Sequence, residues 1–338
     1  MLSNQELAKT IDDIVKQGKG ILAADESTGT ITKRFQPIKV ESTEENRRIY
    51  RELLFTTPSI QEYISGVILY EETLSQKTHD GNPFPKMLQD AGIVPGIKVD
   101  KGIIPLSGSP EENITQGLDG LEERLKGYKA LGARFAKWRA VIPITAHLPS
   151  QYALHANAEA LARYASICQA EGIVPIVEPE VLMDGNHSLQ RCAEVTELAL
   201  REVFNALYLN KVKLEYIILK PNMVVPGTMY QPQASVDEVA EATLKVLRRT
   251  VPAAVPSINF LSGGQTDELA TAHLNAMNHT KDNPWCLSFS YGRALQAPAL
   301  KKWSGQQQNI SAAQEELLKR ARLNSAASKG AYTEKLEA

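Results

Sequence analysis

Eight short apolar runs, their centres roughly 28 to 45 residues apart, constrain the fold of this chain more than any other feature. They are Gly20–Glu26, Ser65–Glu72, Val94–Asp100, Ala133–Ala140, Ile173–Glu180, Glu215–Asn222, Ser257–Gly264 and Cys286–Tyr291. Each has the length of a buried strand, and each gap leaves room for one crossover helix. Pro175 sits near the start of its run, where a missing N–H is tolerated.

The gaps read as helices. Ser42-Thr-Glu-Glu45 and Ser235-Val-Asp-Glu238 have the form of capping boxes, each opening a stretch of helical periodicity. Leu118, Leu121, Leu125 and Tyr128 recur at helical spacing, as do Leu161, Tyr164, Ala165 and Cys168, and these stripes are core faces. Repeated strand–helix units predict a single α/β domain, a (β/α)8 TIM barrel over residues 1–324. A last helix is expected near Ala312–Leu323, then a small, polar, flexible tail over 325–338. A doubly wound sheet builds the same units. The barrel is favoured because polar residues gather at the carboxyl ends of nearly all the runs, and no Gly-x-Gly-x-x-Gly turn follows the first.

With 43% hydrophobic and 22% charged residues and a net charge of -2, the 338-residue chain has the composition of a soluble globular protein. It lacks the basic excess of a nucleic-acid or membrane-surface binder. No apolar run is long enough to span a bilayer, and no signal peptide is expected at the amino terminus. Cys168, Cys192 and Cys286 follow no recognisable pattern, so a reducing cytoplasm is expected rather than a disulfide framework.

The carboxyl ends of the runs, read in order, carry Asp25, Lys98 with Asp100, Lys137 with Arg139, Glu178 with Glu180, Lys220, Ser262 and Ser290. Alternation puts Phe135, Lys137 and Arg139 on one side of their run, and Ile176, Glu178 and Glu180 on one side of theirs. One charge at a strand end is ordinarily a solvated flank. Polar residues at seven ends of eight, converging on one barrel mouth, are costly without a function.

Lysines suggest which function. Burial and a second nearby cation both lower a lysine's pKa, giving a neutral amine able to form a Schiff base with a carbonyl. Lys220 and Lys137 occupy matching places near the ends of their runs. Lys220 would attack a ketone, and Glu178 on the preceding strand would supply the acid that dehydrates the carbinolamine. The iminium withdraws electrons, so a β-hydroxy ketone can break its carbon–carbon bond once Asp25 or Glu178 takes the hydroxyl proton. Lys137 would balance the charges. Together these steps make a retro-aldol reaction.

The last two runs suggest the substrate. Phe260-Leu-Ser-Gly-Gly-Gln265 and Ser288-Phe-Ser-Tyr-Gly-Arg293 supply hydroxyls, glycines and an arginine where this fold habitually binds phosphate. A second anion site is expected opposite, from Ser27, Thr30, Lys33, Arg34 and Lys98. Two phosphate sites across one mouth imply a sugar phosphorylated at both ends.

From about residue 10 to about 333 the chain resembles class I fructose-bisphosphate aldolases, the Schiff-base family. The resemblance rests on Gly18-Lys-Gly-Ile-Leu-Ala-Ala-Asp-Glu-Ser27, Gly96-Ile-Lys-Val-Asp-Lys-Gly102, Phe135-Ala-Lys-Trp-Arg139 and Val174-Pro-Ile-Val-Glu-Pro-Glu180. Leu219-Lys-Pro-Asn-Met223, Phe260-Leu-Ser-Gly-Gly-Gln265 and Phe289-Ser-Tyr-Gly-Arg-Ala-Leu-Gln296 complete it. It implies a cytoplasmic homotetramer of glycolysis and gluconeogenesis, without cofactor or metal. Such an enzyme reversibly cleaves fructose 1,6-bisphosphate to dihydroxyacetone phosphate and glyceraldehyde 3-phosphate. By the same resemblance Lys220 is the Schiff-base lysine and Glu178 the principal acid/base group. Asp25 and Lys137 assist, and Glu180 and Arg139 support them. Ser262, Gly263, Gly292 and Arg293 match the one-phosphate site, with Ser290 beside them. Ser27, Thr30 and Lys98 match the six-phosphate site, with Lys33 and Arg34 close by.

One departure stands out. Animal members end in a tyrosine that exchanges the enamine proton, whereas this chain reads Lys335-Leu-Glu-Ala338, and Tyr332 matches an earlier tyrosine of that tail. Slower enamine proton exchange with intact cleavage is expected. Rival readings are a metal-dependent aldolase or hydrolase, a transaldolase-type carbon transferase and a binding protein on an inactive barrel. The six histidines, His79, His147, His155, His187, His273 and His279, all lie outside the runs, which disfavours the metal reading.

Overall fold

The computed structural model describes residues 2–280 and 282–337. Strands β1 (Gly20–Ala24), β2 (Ile64–Leu69), β3 (Val94–Lys98), β4 (Phe135–Ile142), β5 (Val174–Val181), β6 (Ile218–Leu219), β7 (Ser257–Phe260) and β8 (Cys286–Tyr291) coincide with the eight apolar runs. All pair in parallel, each with its sequence neighbours, and β1 pairs with β8 to close the barrel. Closure removes the doubly wound alternative.

Alternation then separates two cores. Leu22, Ala24, Ala136, Trp138, Val177 and Leu219 point outward into the layer between strands and helices. Ile21, Ile68, Val94, Phe135, Val174, Ile176 and Ile218 point inward. The amino-terminal helix Leu2–Ile14 plugs this inner core with Leu7, Ile11 and Ile14, spaced at i, i+4 and i+7 along one face. The Phe135 ring fills the barrel floor, where Gly96 is obligatory: a Cβ there would lie 2.2 Å from the ring.

Four local features differ from expectation. The helix Glu44–Phe55 is capped by Thr43, whose hydroxyl accepts the Asn46 N–H at 3.1 Å, so the cap falls one residue after Ser42 and the expected box is replaced by a one-way cap. The box at Ser235 and Glu238 forms as expected. Leu118 precedes its helix, Leu121–Ala130, because Gly120 turns the chain left-handed at the cap. An antiparallel hairpin, Ile103–Leu106 with Ser109–Thr115, was not expected and lies between β3 and β4.

The last helix runs Ile310–Ala327, so the expected boundary at 325 falls inside it. Tyr332 beyond it is buried, its N–H bonded to Asn275 Oδ1 at 2.9 Å and its hydroxyl to Glu337 Oε1 at 3.1 Å. Glu337 in turn takes both oxygens to Arg320 Nη1, at 2.7 and 2.8 Å.

Candidate active site

Inward-facing residues change character along each strand. Ile21 and Ala23 give way to Asp25, Phe135 to Lys137 and Arg139, Val174 and Ile176 to Glu178 and Glu180, and Ile218 to Lys220. The strands are in register, Lys98 opposite Lys137 and Arg139 opposite Glu178, so the charged positions share one level. β6 is short, but the Lys220 N–H extends its ladder to Val177 O at 2.8 Å. The buried Asn222 side chain pins the following turn to Val181 and Thr196.

A cavity of about 300 Å³ opens at this level. Asp25, Ser27, Thr30, Arg34, Lys98, Lys137, Arg139, Glu178, Glu180, Lys220, Ser262, Gly263, Ser290, Gly292 and Arg293 all line it. Of the residues named as catalytic or phosphate-binding from the sequence, Lys33 is left out, and so are the strand-end Asp100 and the tail residue Tyr332. The helix of Lys33, Thr28–Phe35, buries Ile31 and Phe35, and at about 100° per residue Lys33 falls diametrically away from that face.

The centre is a relay of alternating charge. Lys137 Nζ lies 2.8 Å from Asp25 Oδ2 and 3.4 Å from Glu178 Oε2, and Glu178 Oε1 lies 3.1 Å from Lys220 Nζ. Lys137, Glu178 and Lys220 are each at most 4% exposed. Burial alone would neutralise such groups. Asp25 is instead held well below the usual carboxylate range, because Lys137 and Lys220 outweigh the burial that opposes its ionisation. Lys137 is correspondingly raised: burial lowers it, but Asp25 and Glu178 dominate. The sequence expectation of a lowered lysine pKa is therefore wrong for Lys137, whose nearest charges are anions rather than a second cation. Arg139 donates to Glu180, which likewise raises the arginine against its burial.

Around this relay lie the residues expected from the sequence to bind phosphate. Lys98 Nζ is satisfied by Asp100 Oδ1 at 2.5 Å and Asp100 O at 2.9 Å. The Ser290 hydroxyl, 1% exposed, has no protein partner among the described residues. Arg293 ties the β8 loop to the β7 loop by donating to the Gln265 carbonyl. Gly292 packs closely on β1, where a Cβ would stand 3.2 Å from Ala23 O. Arg34 Nη2 is 3.9 Å from that same point. Because β1 closes on β8, Arg34 of the expected second anion site comes beside Gly292, while Lys98 stands at the end of β3. Glu26 also lines the cavity and was missed, since it follows Asp25 directly and alternation turned attention from it.

A closed parallel barrel with a buried lysine–carboxylate relay at its carboxyl mouth defines a barrel enzyme. The family described as fructose-bisphosphate aldolase class-I matches residues 6–338. A probable fructose-bisphosphate aldolase class 1 of Xylella fastidiosa is 57% identical over 98% of this chain and 99% of its own length. A cytosolic fructose-bisphosphate aldolase of Arabidopsis thaliana is 58% identical over 93% of this chain and 88% of its own. The solved aldolase of Plasmodium falciparum, in complex with TRAP and a small-molecule inhibitor, superposes with a TM-score of 0.96. It is 52% identical and covers 98% of this chain and 96% of its own. The chain belongs to the class I fructose-bisphosphate aldolase family, an aldolase and therefore a carbon–carbon lyase.

Proposed function

We propose that the chain cleaves fructose 1,6-bisphosphate reversibly through an iminium on Lys220, without a metal. The observation that carries this reading is the unbroken Asp25–Lys137–Glu178–Lys220 relay. Lys220 passes a proton to Glu178, the carboxylate nearest its nitrogen, and attacks the C2 ketone. Glu178 returns a proton to the carbinolamine hydroxyl, which leaves as water and gives the iminium. The C3–C4 bond then breaks toward the iminium, the C4 hydroxyl proton passes to the Asp25/Glu178 carboxylate pair bridged by Lys137, and glyceraldehyde 3-phosphate departs. The enamine left on Lys220 is protonated at carbon and hydrolysed to dihydroxyacetone phosphate. Lys137 stays cationic throughout, keeping the two carboxylates from repelling each other. Ser262, Gly263, Ser290, Gly292 and Arg293 would hold the one-phosphate, and Ser27, Thr30 and Lys98 the six-phosphate.

Among the described residues, no group of three or more His, Cys, Asp and Glu side chains is disposed around a metal position. Borohydride reduction with fructose 1,6-bisphosphate and EDTA, followed by peptide mass mapping, tests the chemistry directly. A reduced adduct on Lys220 is expected. One on Lys137 would reverse the two roles, and none would return the metal-dependent enzyme or the inactive barrel. The same reading includes a homotetramer, to be checked by light scattering, and a cytoplasmic setting. The latter is supported by the cytosolic Arabidopsis relative, and among the described residues no helix is long and apolar enough to cross a membrane.

A further inference from the structure

Behind the mouth, three charged side chains form a cluster that the proposed reaction does not use. Glu26 Oε1 lies 2.6 Å from Arg34 Nη1 and accepts from Gln296 Nε2 at 2.9 Å, while Glu26 Oε2 lies 2.8 Å from Arg51 Nη1 as an ion pair without hydrogen-bond geometry. Gln296 is itself fixed, donating to Ala23 O at 2.7 Å and accepting from the Tyr50 hydroxyl at 3.1 Å. A guanidinium therefore adjoins each Glu26 oxygen.

The charge balance of this cluster is uneven. A carboxylate facing one guanidinium would cancel it, but two guanidiniums against one carboxylate leave a positive charge over. Arg51 is sealed in at 2% exposure, whereas the Arg34 side chain is 29% exposed and lines the cavity. The surplus is expressed at Arg34, beside Gly292 and the Ser27-capped helix terminus. We propose that Glu26 and Arg51 are positioning residues: Glu26 fixes the Arg34 guanidinium at the β8–β1 seam, and Arg51 offsets Glu26 so that Arg34 keeps its charge for a substrate phosphate. The sugar-phosphate identity rests on the function proposed above.

Arg51→Gln tests this, because glutamine keeps an N–H donor beside Glu26 but carries no charge. Calorimetric titration with inorganic phosphate and steady-state kinetics on fructose 1,6-bisphosphate are the readouts. Phosphate affinity should fall and KM rise by on the order of tenfold, with kcat within a few-fold. Arg51→Lys, which restores the charge, should return both toward the parent. The doubly neutral variant E26Q/R51Q should also recover phosphate binding, since Arg34 again carries an unopposed charge. Unchanged affinity in R51Q, or equal losses of kcat and KM in R51Q and R51K, would overturn the proposal. Should R51Q fail to fold, a tenfold loss of phosphate affinity in folded R51K or E26Q/R51Q would overturn it instead. Borohydride trapping on Lys220 with the same preparations reports separately on the aldolase chemistry, because the phosphate titration needs no turnover.

Discussion

The two ends of the barrel are made from the same strands and hold opposite chemistry. At the amino-terminal end Ile21, Val94, Phe135 and Ile218 close over the helix Leu2–Ile14. Two to four residues further along those strands, Asp25, Lys98, Lys137 and Lys220 face one another across a cavity. The floor is stabilised by apolar area removed from water and depends on volume and shape. The mouth consists of buried charges, each tolerable only beside its counter-charge. A rigid, apolar floor is what lets the mouth keep an arrangement that no folding requirement would select.

Lys220→Ala separates the two ends most sharply. Turnover should fall by ~10⁴-fold or more and imine trapping should vanish. Circular dichroism should still report a folded barrel, since alanine suits a strand mouth. Appreciable activity would sink the mechanism. At the floor the expectation reverses. Phe135→Ala should cost ~3–5 kcal/mol in denaturant unfolding while the folded fraction keeps its kcat, and a kcat defect without lost stability would break the division.

Smaller effects sharpen it. Arg293→Ala should raise KM for the bisphosphate by roughly 2–3 kcal/mol, the size of a charge-assisted contact, and an unchanged KM would put the phosphate elsewhere. His273, behind the β7 loop and bonded through Nδ1 to Gln265 Oε1, is pulled down by burial to about 4 from 6.5. The unfolded chain binds that proton first, so this stability is present above pH 6.5 and is lost as pH falls toward 4. The slope is at most about 1.4 kcal/mol per pH unit, and His273→Gln should flatten it in melts taken across that window. The smallest effect expected is that of Tyr332→Phe. Its hydroxyl is bonded to Glu337, is pushed up to about 12 by burial and that carboxylate, and is not part of the cavity wall. Solvent-tritium exchange into the enamine should change less than about twofold; a larger loss would give Tyr332 a part in that step.

Much of this was legible in the sequence because period-two alternation is local. Phe135, Lys137 and Arg139 share a face whatever surrounds them, as do Ile176, Glu178 and Glu180. Other features depended on neighbours distant in the chain. The direction of the Lys137 shift required knowing that Asp25, over a hundred residues earlier, lies 2.8 Å away. Glu26 gave no signal, since its partners Arg34, Arg51 and Gln296 come from three different helices or helix flanks.

By itself the sequence determined the number of barrel strands, the shared faces within β4 and β5 and the residue types gathered at the mouth, because all three follow from spacing along one chain. Only the tertiary structure decided which of those residues touch. The closing pair of β1 with β8 brought Arg34 beside Gly292, and the shared level of β4, β5 and β6 set the order of charges in the relay. Coulomb energies fall with distance, so protonation states and partners are properties of that closure rather than of the spacing.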